Sequence, residues 1–470
     1  MTYFFETYGC QMNTAESAAL ALVCGERGWT AAPDEKSADL VLLNTCSVRL
    51  TAEQRVLGRI ALYAGLKKKR NAAEPPLTLV VAGCMAQRMG EELKKKFPEV
   101  DYVMGTASRS IFPLILEAAE QSRAEQGRAG QGGRDRPGRA GPPVFPDFAD
   151  APVFSFSSSH LEEGQFRSFI PIMHGCDNFC SYCIVPYVRG REVSRNPRSI
   201  AEEIRLVAGR GVREITLLGQ NVNTYSWQAP DGNGKTEALD FPGLLRLVAR
   251  ETEKTPVKRI RFLSANPGGF SPATIQVMAE NPVFCRHLHL CVQHGSNRIL
   301  SAMNRRYTRE QYLELVGRIR AAMPDISLST DILVGFPGET EEDLAETLAL
   351  MEEVKVLYAY MYHYNPREGT RACSLPGRIA EEVKRERLSR VIALQKKHTA
   401  ALLKSRLGRR EKVLIEGISR KNADELITRT ERDETAVAPG GPALIGSFAE
   451  ITLSSLRGTT FRAEEIIPLE

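Results

Sequence analysis

The chain is 470 residues long, 43% hydrophobic and 25% charged, with a net charge of +5. That length predicts two to four domains, the composition makes the bulk of the chain globular, and the mild positive charge permits an anionic partner without demanding one. No run is apolar for long enough to span a membrane, and residues 1–10 lack the basic and apolar regions of a secretory leader, so a cytoplasmic protein with no membrane partner is expected. In that reducing compartment the ten cysteines stay thiols, which sets a disulfide framework aside.

The first 117 residues alternate strand and helix. Three short apolar runs each end at a cysteine: Tyr3 to Cys10, Val41 to Cys46 and Leu79 to Cys84. They read as buried parallel strands, followed by helices over Thr14–Val23, Thr51–Leu66 and Met89–Phe97, the rhythm of a doubly wound sheet. Ligands of such sheets sit beyond the carboxyl ends of the strands, so Cys10, Cys46 and Cys84 are candidates for one shared metal site. From about 121 to 165 the composition turns to Gly, Arg, Pro and Ser, which cannot bury a core and reads as a linker.

The rhythm then returns for six cycles. Strands are expected at Phe169–Met173, Glu214–Leu218, Arg259–Leu263, His287–Val292, Ser327–Val334 and Tyr358–Tyr364. Helices are expected at Ser199–Ala208, Phe241–Glu251, Ser271–Ala279, Arg309–Met323, Glu341–Glu353 and Ala380–Thr399. Six βα units predict a partial (β/α)6 barrel with its site at the carboxyl ends of the strands. Beyond Lys404 short strand-like runs, Lys412–Glu416, Glu425–Thr428 and Phe448–Leu453, predict a small β-barrel. The fold class is therefore α/β, with a doubly wound sheet first, the partial barrel in the centre and the small β-barrel last.

At the end of the first central strand stands Cys176-Asp-Asn-Phe-Cys180-Ser-Tyr-Cys183. Three thiolates at this spacing can hold three irons of a four-iron cube and leave the fourth free to chelate a small molecule. The competing reading is zinc, with His174 or a distant residue completing the set, although structural zinc usually takes paired C-x-x-C knuckles on smaller folds. For Cys24, Cys285, Cys291 and Cys373 ordinary packing or exposure is the simpler account. Basic runs occur at Lys67–Arg70, Lys94–Lys96 and Lys404–Lys412, and such runs are usually solvated faces.

Eight motifs in order then carry a resemblance. They are Tyr8-Gly-Cys-Gln-Met-Asn13, Asn44-Thr-Cys-Ser-Val-Arg49, Gly83-Cys-Met-Ala-Gln87, Gly175 to Pro186, Arg189 to Arg195, Leu218-Gly-Gln-Asn-Val-Asn223, Met303-Asn-Arg-Arg-Tyr307 and Gly335-Phe-Pro-Gly-Glu-Thr340. Outside the linker the chain resembles the radical S-adenosylmethionine methylthiotransferases, and among them the MiaB type that acts on tRNA. The resemblance implies a methylthiotransferase domain over 1–118, a linker over 119–161, a radical S-adenosylmethionine core over 162–401 and a TRAM-like RNA-binding domain over 404–468.

It also implies two [4Fe-4S] clusters. Cys176, Cys180 and Cys183 would hold the one that binds and cleaves S-adenosylmethionine to a 5′-deoxyadenosyl radical, and Cys10, Cys46 and Cys84 the auxiliary one that supplies sulfur. Two molecules of S-adenosylmethionine serve each turnover, one as methyl donor and one as radical source. Tyr182 would pack near the adenine. The segments Gly219-Gln220-Asn221 and Gly335 to Gly338 follow strands, where bare glycine backbone can approach the nucleoside closely or simply make a tight turn. Lys404, Arg406, Arg409, Arg410 and Lys412 would grip the tRNA anticodon arm.

The implied substrate is C2 of N6-(dimethylallyl)adenosine beside the anticodon, whose hydrogen no side-chain base can remove, so a cofactor must act. Threonylcarbamoyl-adenosine or a ribosomal-protein aspartate are alternative substrates, and a non-catalytic zinc RNA-binding protein is the alternative of another class. A reduced flavodoxin- or ferredoxin-like donor and a monomer complete the expectation. Two motifs depart from the family: its Gly-Arg-Thr pattern appears as Thr428-Arg-Thr430, and where its members usually read Leu-Pro-Val-Gln-Ser-Gly-Ser, this chain has Leu290-Cys-Val-Gln-His-Gly-Ser296. That places Cys291 and His294 at a strand end facing the expected pocket.

Overall fold

The computed structural model describes residues 1–47, 50–70, 74–106, 108–129, 164–230 and 236–469. They form two compact units. The first holds the described residues up to Ala129 with His174–Asp177 and Ile184–Val193, and the second holds the rest. Residues 174–177 and 184–193, assigned by sequence to the central domain, thus cluster with the amino-terminal one. The linker expected over 119–161 lies outside the described residues from 130 onward, and residues 119–129 belong to a helix, Phe112–Ala129.

The first unit is a parallel sheet of β1 (Thr2–Thr7), β2 (Thr30–Ala31), β3 (Leu40–Thr45), β4 (Thr78–Gly83) and β5 (Tyr102–Met104), in the order β2-β1-β3-β4-β5. Strands β3 and β4 are buried on both faces, as their unbroken apolar runs require. One face packs Leu40, Leu42 and Val80 against α1 (Gln11–Glu26) and Phe112–Ala129. The other packs Val41, Leu43 and Val81 against α2 (Leu50–Lys69) and α3 (Cys84–Lys96). Cys24 lies in the first of these cores, as ordinary packing. The order brings β1, β3 and β4 side by side, so the three strands that end at Cys10, Cys46 and Cys84 are neighbours.

The second unit begins with six parallel strands: β6 (Arg167–Pro171), β7 (Glu214–Leu218), β8 (Arg259–Phe262), β9 (His287–His289), β10 (Ser327–Val334) and β11 (Tyr358–His363). Each pairs with the next in chain order, β8 and β9 through the isolated bridges Ile260↔Phe284 and Ala265↔Leu290. The intervening helices start where capping predicts. Asn196, Asp240, Ser271, Thr308 and Thr340 each accept a first-turn backbone N–H, the last two within full capping boxes. Strand β9 is shorter than the sequence predicts, because Leu290 N donates to Ser329 O while Cys291 N donates to Ala265 O. The segment after His289 thus bonds alternately to both neighbours. A hairpin of Ser226–Pro230 and Thr236–Asp240 has no counterpart in the sequence reading.

After the helix Glu381–Lys404 come seven strands in one mostly antiparallel sheet, with Val413, Ile415, Leu426, Ala449 and Phe461 in its core. Its edge strands, Ser455–Arg457 and Ile467–Pro468, do not pair with each other, so hydrogen bonding leaves open what the sequence reads as a barrel. It docks on the amino ends of the central strands: Arg259 donates to Arg429 O and Lys412 O, both at 2.7 Å, and Ser327 Oγ to Arg432 O at 2.8 Å.

Candidate functional site

In the first unit, Cys10 caps the start of α1 and Cys84 is the first residue of α3, while Cys46 directly follows β3. Both helix starts favour negative charge, which suits a thiolate ligand. The loops are pressed together: a Cβ on Gly9 would lie 2.6 Å from Cys46 Cβ and 3.2 Å from its Sγ. Asn13 ties them further, donating to Tyr8 O at 2.9 Å and Thr45 O at 3.0 Å. Its Oδ1 accepts from Arg189 Nη2 at 2.9 Å, and Arg189 Nη1 pairs with Glu16 at 2.6 Å. Burial pushes the Cys84 thiol up to about 11; Arg189 opposes this, while Glu16, Cys46 and Cys10 add to it, so the three sulfurs share one field. Burial works against charge on Arg189 too, but Glu16, Cys84 and Cys10 hold it protonated.

In the second unit the Asn178–Cys183 segment is held by the turn after the helix Asn297–Ala302. Asn304 Nδ2 donates to Asn178 O at 3.1 Å and Phe179 O at 3.0 Å, and Ser181 Oγ donates to Ala302 O at 2.8 Å. Arg305 Nη1 reaches Cys180 Sγ at 3.3 Å. Phe179 has a φ of 46°, a left-handed conformation that a bulky residue adopts only when its surroundings impose it. Tyr182 packs against the core cluster of Ile299, Met303, Leu333, Phe336, Tyr364 and Ala372. A cleft of about 170 Å³ opens beside Cys180, lined among others by Asn266, Asn304, Arg305 and Arg306. Cys176, in the first unit, has its N–H on Gly190 O at 3.1 Å.

Six soft thiol donors in two sets suit iron–sulfur clusters. In a cluster each cysteine binds a different iron, so its sulfurs stand further apart than around a single ion. The cations fit as well, since Arg189 and Arg305 oppose the negative charge that thiolate-bound clusters carry. Sequence reasoning gave no role to Asn13, Arg189 or Arg305. Each nonetheless lies inside one of the eight motifs that carry the resemblance.

The residues expected at the nucleoside are placed as follows. Gly219 follows β7, and a Cβ there would meet Met173 Cγ at 2.5 Å; Asn221 is buried and Gln220 half-buried. A Cβ on Gly335 would strike Lys384 Cγ at 2.4 Å, so side-chain packing is one reason for glycine there. Gly338 N donates to Gly377 O at 2.8 Å. His294 does not share a site with Cys291. Its ring is buried against Glu339 at 3.2 Å and Thr347, and Cys291 instead meets His289.

Of the five residues expected to grip tRNA, Lys404, Arg409, Arg410 and Lys412 are exposed. Arg410 pairs with Glu450 at 2.5 Å, and Lys412 Nζ lies 4.8 Å over the Phe448 ring. Arg406 is a correction. It is buried and paired with Glu411 and, at 3.2 Å, Glu434, so its charge is spent inside the fold. No helix among the described residues is long and apolar enough to cross a membrane.

Comparison with known proteins agrees with this geometry. Residues 170–351 match the Radical SAM superfamily, and residues 2–105 match the uncharacterized protein family UPF0004. The tRNA-2-methylthio-N(6)-dimethylallyladenosine synthase of Treponema denticola is 48% identical over 468 residues, covering 98% of this chain and 99% of that protein. The protein of the same name from Geobacter metallireducens is 42% identical over 451 residues, covering 96% of this chain and 95% of its own length. Among solved structures, the radical S-adenosylmethionine methyltransferase TsrM of Kitasatospora setae, with cobalamin and a [4Fe-4S] cluster bound, superposes with a TM-score of 0.57. Its identity is 18%, over 79% of this chain and 77% of that one, a likeness of fold alone. A Radical SAM protein uses a [4Fe-4S] cluster and S-adenosylmethionine, which the thiols of Cys176, Cys180 and Cys183 suit. Similar from end to end to these relatives, the chain belongs to the family of tRNA-2-methylthio-N(6)-dimethylallyladenosine synthases, within the Radical SAM superfamily.

Proposed function

We propose that this protein places a methylthio group on C2 of N6-(dimethylallyl)adenosine beside the anticodon of tRNA. The observation that carries the reading is the 48% identity over 98% of the chain to a synthase named for that product. The shared name supports this substrate over threonylcarbamoyl-adenosine or a ribosomal-protein aspartate. Cys176, Cys180 and Cys183 hold the cluster that receives S-adenosylmethionine, and Cys10, Cys46 and Cys84 hold the auxiliary one. When bound, the two groups supply reductive cleavage of S-adenosylmethionine and a transferable sulfur.

The rest is the work of side chains. Arg305 sets a positive charge 3.3 Å from Cys180 Sγ, and Asn304 and Ser181 fix the segment that carries the thiols. Asn13 and Arg189 lock the Cys10 and Cys46 loops with three hydrogen bonds, which keeps those sulfurs in place. Tyr182, Gly219, Gln220, Asn221, Gly335 and Gly338 line the way to the nucleoside. Lys404, Arg409, Arg410 and Lys412 hold tRNA phosphates, and a flavodoxin- or ferredoxin-like protein delivers electrons to a monomer in the cytoplasm, where its substrate is. The test is nucleoside analysis of tRNA from a deletion strain. The gene should restore the methylthio nucleoside, and Cys46→Ala or Cys180→Ala should leave only N6-(dimethylallyl)adenosine. Restoration by either variant would overturn the reading.

A further inference from the structure

His289, Cys291 and Asp331, all in the second unit, bring one ligand atom each within 4.8 Å of one another, a grouping found nowhere else among the described residues. Cys291 Sγ lies 3.2 Å from His289 Nε2, and the same nitrogen lies 3.6 Å from Asp331 Oδ2. Their supports are rigid. His289 ends β9, Asp331 sits within β10, and Cys291 lies on the segment between sheets, its N–H on Ala265 O and its carbonyl accepting from Arg305 at 2.7 Å. A second layer aims the donors: Ser329 Oγ meets His289 Nδ1 at 3.0 Å, which turns Nε2 toward the thiol, and Gln293 Nε2 donates to Asp331 Oδ2 at 3.3 Å. Cys291 and His289 are each 8% exposed.

We propose that these three side chains form a mononuclear site for zinc or a similar thiophilic divalent cation, separate from both cysteine triads. Thiolate, imidazole and carboxylate are the donors zinc takes, and three protein ligands leave a fourth tetrahedral position for water. A divalent cation cancels the two negative charges of thiolate and carboxylate. Arg305 gives its N–H groups to the Cys291 carbonyl and to Cys180 Sγ. The site arises from this chain's departure from its family's pattern, Cys291 where proline is usual. The bound cation would brace the end of β9 against β10.

The experiment uses the full-length protein, anaerobically reconstituted so that iron already fills both triads. It is incubated with zinc chloride, desalted and assayed for zinc and iron by mass spectrometry. About one zinc per chain is expected, with the extended X-ray absorption fine structure showing one sulfur at about 2.3 Å and nitrogen or oxygen at about 2.0–2.2 Å. Cys291→Ala and Asp331→Asn should each reduce retained zinc at least tenfold with iron content and circular dichroism unchanged. Two variants at different elements guard against a local folding defect in either one. No zinc above background in the intact protein would overturn the proposal and leave a hydrogen-bonded trio only. Zinc retained in both variants, or a shell of sulfur alone, would place the ion in a cysteine triad and overturn it equally.

Discussion

Arg305 shows how a residue that reads as surface becomes part of a site. In sequence it is one of two arginines in a turn, and a basic turn is ordinarily solvated. Folding directs it to Cys180 Sγ at 3.3 Å, to the Cys291 carbonyl at 2.7 Å and to Tyr307 Oη at 2.9 Å. Reduction of a cluster adds negative charge, which a nearby cation stabilises. Arg305→Ala should therefore make the S-adenosylmethionine cluster harder to reduce, moving its potential negative by roughly 60 mV, the shift for a tenfold change in a one-electron equilibrium. Arg305→Lys should give a smaller shift. An electron-paramagnetic-resonance redox titration reads both, and an unmoved potential in the alanine variant would count against the role. Arg406 makes the reverse point: the same residue type in a basic run is buried against two glutamates.

Helix α3 was expected from Met89 and instead starts at Cys84, directly at the end of β4. Gly83 makes the abrupt start feasible. Its φ is +91°, and a Cβ would lie 2.5 Å from both Thr45 O and Asn44 Oδ1, so strand β3 packs on the bare backbone. With ψ at −160°, that backbone is one that only glycine adopts readily, costing another residue about 1–3 kcal/mol, and the contact adds to it. Gly83→Ala should displace Cys84 and unload the auxiliary site, leaving roughly four of eight irons per chain, while the Cys176–Cys183 cluster persists. Iron analysis with circular dichroism checks this, and full iron in a folded variant would show that α3 need not start there. The glycine stands in the sequence, but nothing local announces which strand presses on it. Strand β9 ends early for a like reason, since Leu290 bonds to the neighbour on one side and Cys291 to the neighbour on the other.

Arg259 is 1% exposed and, with Arg261, gives its guanidinium N–H groups to carbonyls of the carboxyl-terminal sheet. Deleting that sheet would remove the carbonyl partners of both guanidinium groups and expose Leu357 and Leu403, which are buried in its core, to water. Truncation near residue 402 should therefore unfold the second unit rather than yield a working core, as thermal unfolding would show. Point changes are the cleaner probe of tRNA binding. Lys404→Ala with Arg409→Ala should weaken binding and reduce the slope of log affinity against log salt by about 0.7–0.9 per lost phosphate contact. An unchanged slope would move recognition away from this face.

By itself the sequence determined the kind of chemistry and the order of elements. Cys176, Cys180 and Cys183 lie within eight residues, and spacing that short restricts how far apart three thiols can be. Apolar runs and capping residues likewise act on their own neighbourhood, so the β1, β3 and β4 strands and the helices after Thr308 and Thr340 were legible. Only the tertiary structure decided what depends on distant partners. Strand order gathered Cys10, Cys46 and Cys84 from positions dozens of residues apart, gave Arg189 a buried role and Arg406 a structural one, and turned His294 to Glu339 while Cys291 met His289 and Asp331. A side chain's charge and donor atoms are properties of the residue, whereas its partner is a property of the packing.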